Sequence, residues 1–498
     1  MLSDDSAMVK PDLRATGLGY LLLALPVATV ILFFFEPLGD AAAGSPSWRV
    51  FPELEQAEGI VGLAAAYILF YAFQRRFWPG TGGEARALRS AALLVLLQAL
   101  ILRLTTDFLM YFYGQEQFPR EEGWLRSPWF FIPGLAVVLL GWRYGVLLSL
   151  SGVWMFMLMA RPGILQLVAA VSSSMAAVLW LRRSTTRGRV LRAGLWSGAL
   201  VAACVLLGEL LEGSGDPTRW LRSAGVALGV GFGGGILLLA FLPFVEWALG
   251  ELSDVSLTEY GTDHRLLDEL RERAPGTWNH TLNVADLARQ AAGAIGVRAL
   301  FCHTAALFHD IGKLRRPEIF AENITGPSPH DELDPKESAR LIIDHVAHGL
   351  ELARKHRLPR PFRLIIREHH GNSLVRYFHA KAQQAVGSSE NGETEEGDFR
   401  YPGSPPSTKE SGIIAMADAV EAATRSMGES SPAEIQEVVR HLIAERVADG
   451  EYAACPLTLA ELCQIESSFQ AWLAARCHRR PAYPQAEPLS VGPGPEGR

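Results

Sequence analysis

The sequence predicts an all-α chain in two parts: a polytopic helical membrane domain followed by an all-α cytoplasmic domain. Three observations carry this. The long apolar stretches all lie before residue 250, and all thirteen histidines lie after residue 263. The second half shows apolar residues at three-and-four spacing and no alternating strand pattern. The expected divisions are a cytoplasmic N-terminus (1–16), a membrane domain (17–247), a short polar connector (248–263), a histidine-rich domain (264–480) and a disordered tail (481–498) rich in Pro and Gly.

Residues 17–35 carry no charge over about the length that crosses a bilayer. No small-residue cleavage site follows, so the stretch reads as a retained span and not as a signal peptide. Further spans are expected at 59–74, 90–112, 127–142, 144–160, 162–181, 190–210 and 223–247, eight in all. Three are imperfect. Residues 60–73 are short, 90–112 contain Arg103 and Asp107, and 127–142 are broken by two prolines. Almost no loop separates 127–142 from 144–160. The glycine run at 229–235 predicts close helix packing. Arg103 and Asp107 stand one turn apart; a polar signal site and two side chains snorkelling to the outer interface compete, and the second reading is preferred.

Orientation follows from Lys/Arg bias. Loops 75–89 and 182–192 carry clustered arginines, among them Arg75, Arg76, Arg187 and Arg189, and read as cytoplasmic. Loops 36–58 and 211–222 are richer in Asp and Glu and read as outside. Alternation then puts both termini, and with them the histidine-rich domain, on the cytoplasmic side of the inner (plasma) membrane. No outside loop is long enough for a folded sensor domain.

A net charge of −7 gives no global attraction to a nucleic acid polymer. The five cysteines, Cys204, Cys302, Cys455, Cys463 and Cys477, show no CxxC spacing and read as reduced thiols. Helical periodicity runs through LLDELRERA, TLNVADLARQAAGAIG, ALFCHTAALFHDIGKL, SARLIIDHVAHGLELARKH, FRLIIREHH, SGIIAMADAVEAATRSM, AEIQEVVRHLIAERVADG and LTLAELCQIESSFQAWL. Residues 383–398 are polar and acidic and read as a mobile excursion.

The chemistry sits in an ordered series: His280, His309-Asp310, His345, His369-His370 and Asp418. Imidazole and carboxylate bind divalent first-row metals, and the series suffices for two ions sharing one bridging carboxylate. Adjacent His309 and Asp310 both reach one site only at a helix end, where Gly312 lets the chain turn. Lys313 places a cation near a phosphate. His369-His370 likewise require a helix end, and Gly371 supplies it. His264, His330, His356, His379, His441 and His478 read as ordinary core or surface histidines. His348, three residues after His345, competes with it for the same helix face, and His303 is unassigned.

The segments PGTWNHTLNVADLA, FHDIGKLRRPEIFAEN, SARLIIDHVAHGLELA, IREHHGNSLVRYF, FRYPGSPPSTKESGI and MADAVEAATRS resemble, in order, the HD domain of the seven-transmembrane-receptor HD hydrolases. That family includes the PgpH-type cyclic di-AMP phosphodiesterases. The resemblance implies an HD metallophosphohydrolase domain with seven metal ligands. Asp310 bridges; His280, His309 and Asp418 complete one site, and His345, His369 and His370 the other. It implies iron or manganese as the two divalent ions, and Lys313, Arg400 and Tyr401 as substrate contacts, with Asp310 and Lys313 catalytic. His345 is preferred over His348 on this ground. Two departures stand out. Relatives carry a large extracellular domain where this chain has only residues 36–58, and His303 and His348 occupy positions expected to be Arg-like and acidic.

The resulting expectation is a membrane-anchored metal-dependent phosphodiesterase that opens a cyclic dinucleotide, cyclic di-AMP by family, to the linear dinucleotide. The expected partners are that substrate and the lipid bilayer; a homodimer is left open. A cyclic di-GMP enzyme of the Gly-Tyr-Pro subgroup would carry a glutamate after the paired histidines, whereas GNSLVRY follows His370. The alternatives are a phosphohydrolase of another nucleotide, a non-catalytic nucleotide-binding receptor, for which degenerate ligands are expected, and a transporter with a regulatory domain, which would want interrupted polar spans in paired halves.

Overall fold

The computed structural model describes residues 84–113, 129–160, 163–182, 186–211, 213, 216–386, 395–428 and 431–476. The spans expected at 17–35 and 59–74, the loop 36–58, the tail 481–498, Cys477 and His478 lie outside the described residues. Among the described residues the chain is helical without a named strand; Leu374 and Arg400 form an isolated antiparallel bridge. Two compact units result, Met1–Asp268 with Arg357–Arg363, and Glu269–His356 with Leu364–Arg498.

Among its described residues the first unit holds six apolar helices: α1 (Glu84–Tyr113), α2 (Phe131–Leu140), α3 (Trp142–Ala160), α4 (Ile164–Leu181), α5 (Arg187–Leu211) and α6 (Pro217–Leu249). Four of them, within α1, α4, α5 and α6, are long and apolar enough to cross a membrane. Their interior is a cluster of Leu, Val, Ala and Phe, including Leu94, Leu135, Leu148 and Leu238. Their outward faces are apolar as well, with Leu179, Leu210 and Phe244 more than half exposed. A helix apolar on every side suits lipid contact.

The segment expected to span at 127–142 is helical only over Phe131–Leu140, about 15 Å long and too short to cross. The near-absent loop after it is the single residue Gly141, at φ +99°, a backbone conformation that favours glycine. Gly145 then packs against Val137, where a Cβ would clash, so α2 folds back on α3. The glycine run on α6 serves close packing at some positions. A Cβ on Gly231 would stand 2.5 Å from the Gly194 carbonyl oxygen of α5, while Gly229 and Gly233 face open space. Arg103 is buried, and the Asp107 side chain lies outside the described residues.

Helix α6 starts at an Asp216 cap with Pro217 at its first position and ends at Gly250, φ +67°. The polar connector contains a helix of its own, α7 (Asp254–Thr262), because Ser253 caps it by accepting from Ser256 N. Glu246 accepts from Ser253 N at 2.8 Å, and Arg187 donates both to Glu259 Oε1 (2.6 Å) and to its Oε2 (2.9 Å). A short amphipathic helix, α8 (Arg265–Arg273), follows.

The second unit contains α9 (Pro275–Ala294), α10 (Ala299–Ala306), α11 (Pro335–Lys355), the end of α12 (Arg360–Glu368), α13 (Arg376–Val386), α14 (Lys409–Ser426), α15 (Pro432–Ala448) and α16 (Leu459–Arg476). Proline occupies the first position of α9, α11 and α15, where no backbone N–H is needed. Asp334 and Ser431 cap α11 and α15, and Thr408 with Ser411 caps α14. Helix α9 is central, packing against α10, α14 and α16. The stretch 299–314 is less helical than its periodicity predicts: α10 stops at Ala306 and short 3-10 turns take over. At the two ends of the polar segment 383–398, α13 runs to Val386 and a 3-10 turn at Glu396–Phe399 buries Phe399; residues 387–394, expected to be a mobile excursion, lie outside the described residues.

Candidate metal centre

Three helices, α9, α11 and α14, and the turns that follow α10 and α12 deliver seven side chains to one place. His280 lies in the middle of α9 and Asp418 in α14, both buried. His309 and Asp310 follow α10, in a turn tight enough that both point inward. There His309 Nδ1 donates to Ala306 O at 2.7 Å. His345 comes from the buried side of α11. His369 and His370 terminate α12, and Gly371 takes φ +53° just beyond them, as the helix end requires. Gly312 has a different role from the expected turn. A Cβ there would lie 1.8 Å from the His345 carbonyl oxygen, so glycine is needed for close approach to α11.

The donor atoms form two groups with one shared member: His280, His309, Asp310 and Asp418, and Asp310, His345, His369 and His370. Asp310 divides its oxygens between them. Oδ2 stands 3.5 Å from His280 Nε2 and 3.2 Å from His309 Nε2. Oδ1 stands 3.3 Å from His345 Nε2 and 3.7 Å from His369 Nε2. Asp418 Oδ1 lies 3.0 Å from His280 Nε2, and its Oδ2 3.6 Å from His370 Nδ1.

These residues fit divalent cations. His309 Nε2 and Asp310 Oδ1 are buried and make no hydrogen bond, which is costly unless another partner is intended. His345 Nε2 and His369 Nε2 stand 3.2 Å apart, two lone-pair atoms aimed at the same space. The Nδ1 atoms of His309, His345 and His369 all donate to backbone carbonyls, leaving Nε2 free to ligate.

The electrostatics follow. Burial lowers His280 and His309, but the neighbouring carboxylates outweigh it, raising His280 well above the ordinary value and His309 to about 9. Burial raises the carboxyl groups of Asp310 and Asp418, yet the imidazoles, and Lys313 beside Asp310, hold both well below their usual range. Burial and the neighbouring His369 push His370 well down.

Lys313 is held between two carboxylates, its Nζ 2.8 Å from Asp310 Oδ2 and 2.8 Å from Glu322 Oε1. Tyr401 is buried, its ring stacked on His370 at 4.3 Å. The Arg400 guanidinium is engaged by Asn372 O at 3.0 Å and by Glu396. His348 does not join either group, and His303 stands 3.5 Å from Asp286 instead. His330 donates to Ile319 O as a buried structural group. Sequence reasoning passed over Glu322 and Glu421, which support Lys313 and His280. The available signal for Glu421 was its place one helical turn after Asp418.

Residues 277–423, which contain all seven clustered side chains, match the HD domain, and residues 58–253 match the 7TM receptor with intracellular HD hydrolase. Over 329 residues the chain is 35% identical to the "Cyclic-di-AMP phosphodiesterase PgpH" of Bacillus subtilis (strain 168), covering 65% of this chain and 45% of the relative. Over 429 residues it is 31% identical to the protein of the same name from Listeria monocytogenes serotype 1/2a (strain 10403S), covering 85% and 58%. The chain thus spans about half the length of these curated relatives. A crystal structure of the L. monocytogenes phosphodiesterase PgpH HD domain in complex with cyclic-di-AMP is 38% identical. It covers 43% of this chain and 99% of that chain, with a TM-score of 0.41. Matched in both its apolar half and its histidine-rich half, the chain belongs to the family of 7TM receptors with an intracellular HD hydrolase.

Proposed function

We propose that the chain is a membrane-anchored, metal-dependent phosphodiesterase that hydrolyses cyclic di-AMP to the linear dinucleotide. The observation that carries this is Asp310, whose two oxygens face two separate groups of imidazoles. Two relatives that share this region are named cyclic-di-AMP phosphodiesterases, which favours that substrate.

Two divalent ions, manganese or iron, would supply an activated water and charge neutralisation for a phosphodiester. Mixed imidazole and carboxylate donors suit those metals. The chain's own residues do the rest. Asp310 joins the two groups. Lys313, kept charged by Asp310 and Glu322, offers an ammonium to a phosphate oxygen. Tyr401 fixes the His370 ring by stacking, and with Arg400 it is assigned to contact with the substrate. Water forms the new P–O bond, and the ribose oxygen of the opened ring leaves and takes a proton. The apolar half anchors this domain at the cytoplasmic side of the plasma membrane.

The test is the purified chain in detergent, loaded with manganese and given cyclic di-AMP, cyclic di-GMP and linear dinucleotides. Cyclic di-AMP should be opened to its linear product fastest. Tight binding of cyclic di-AMP with no turnover at full metal occupancy would instead establish a nucleotide-binding receptor.

A further inference from the structure

Three of the clustered imidazoles orient themselves locally. His309, His345 and His369 each donate Nδ1–H to the carbonyl three residues earlier, at 2.7, 2.7 and 2.9 Å. His280, inside α9, does not orient itself in this way. Its Nδ1 meets the Glu421 carboxylate of α14 instead, and both side chains are buried. Glu421 stands one turn after Asp418, so a single face of α14 presents both a ligand and the support of another ligand.

Glu421 is itself held. Its Oε1 accepts from Asn283 Nδ2 at 3.1 Å, and its Oε2 from Arg425 Nη1 at 3.1 Å. Asn283 in turn accepts from Arg476 Nη1 of α16 at 2.6 Å. A carboxylate behind an imidazole fixes its tautomer and makes the opposite nitrogen more basic than a carbonyl does. The charges differ in the same sense. The His280 group contains Asp310 and Asp418 with Glu421 behind, whereas the other group has three imidazoles and only the shared Asp310.

We propose that Glu421 is a positioning residue that locks His280 as an Nε2 ligand and makes the His280–His309–Asp310–Asp418 group the tighter of two unequal metal sites. This rests on the dimetal reading above and adds an order of loading. The site of His345, His369 and His370 then fills second and exchanges its ion more readily.

The experiment uses the full chain in detergent, stripped with a chelator and titrated with manganese(II) alone, free ion being read by EPR. The wild type should take up two equivalents in two unequal steps. Glu421→Gln should weaken the tighter step by about 10- to 100-fold, because an amide carries no charge and can turn its NH₂ toward Nδ1. The weaker step should stay within about twofold. Equal affinities in variant and wild type, or a loss confined to the weaker step, would overturn the proposal. A second measurement needs no variant. Pulsed EPR of wild-type protein carrying one equivalent of manganese counts the ligating imidazoles, two for the His280 group and three for the other. Two supports the proposal and three overturns it, even where Glu421→Gln does not fold. Neither readout involves a nucleotide, so failure of cyclic di-AMP hydrolysis bears on the proposed function alone.

Discussion

The Lys313 ammonium lies 2.8 Å from the Glu322 carboxylate and 2.8 Å from Asp310 Oδ2, and the Lys313 and Glu322 side chains are largely, not fully, buried. Glu322 therefore stabilises the cation that the proposed chemistry needs, and Thr277 Oγ1 donates to the same carboxylate at 3.0 Å. Burial alone would raise the Glu322 carboxyl, but Lys313 outweighs it and holds it at about 2. A carboxylate depressed in this way contributes stability that is complete above its ordinary value of 4.5 and is lost as pH falls toward 2. The shift corresponds to on the order of 3 kcal/mol for the Lys313–Glu322 pair as a whole. Glu322→Gln in metal-free protein should cost about that much at pH 7, and about 1 kcal/mol at pH 3. Unfolding by denaturant at the two pH values measures the gap. A gap independent of pH would show that the ion pair does not carry the stabilisation.

Asp310→Ala should lower cyclic di-AMP turnover by at least about 10²-fold, the scale of losing one preorganised electrostatic group. Bound metal should fall to one ion or none, because the variant removes a donor from both groups at once. Metal analysis beside the activity assay decides it. Near-normal turnover with two ions retained is incompatible with a bridging role.

Much of this site is legible in the sequence because adjacent pairs such as His309-Asp310 and His369-His370 make sense only at helix ends, and both are found there. The choice between His345 and His348 is not legible from spacing alone, since both fit one face of α11. It depends on which residue the rest of the domain buries, and that is His345. Glu421 and Glu322 were missed for a similar reason. Their partners, His280 and Lys313, are 141 and 9 residues away, and a carboxylate on a helix or in a loop reads as solvated until its neighbours are known. In the apolar half, the apolar stretches located α4, α5 and α6 and placed the break between α2 and α3 within two residues of Gly141. A positive φ at Gly141 ends α2 there.

His345→Ala should remove one metal ion and most activity, whereas His348→Ala should keep the metal content and activity within about twofold. His348 is partly exposed and contributes no atom to either group, although both residues share a helix. Metal stoichiometry of the two variants separates them, and the opposite pattern would reassign the ligand to His348.

The last prediction concerns how little of the chain the metal site requires. All seven clustered side chains lie between residues 280 and 418, and their supports Glu322 and Glu421 lie within or next to that stretch. The second unit has a core of its own, with Val284, Leu287, Phe308, Ile413 and Val439 fully or nearly buried. None of the six apolar helices described carries a histidine. Residues 250–498 expressed alone should therefore be soluble, bind two manganese ions and open cyclic di-AMP. The cut should not move past α7. Tyr260 of that helix packs edge-on against the buried Phe362 at 5.3 Å, and Phe362 leads toward His369 and His370 along α12. Losing an aromatic pair of this kind costs about 0.5–1.5 kcal/mol beyond the buried area, so a fragment starting at residue 265 should melt several degrees lower. Solubility, metal content, hydrolysis and melting temperature of the two fragments are all measurable. A 250–498 fragment that folds, holds two ions and hydrolyses no cyclic dinucleotide would remove the enzyme reading and leave a membrane receptor whose HD domain binds nucleotide without cleaving it.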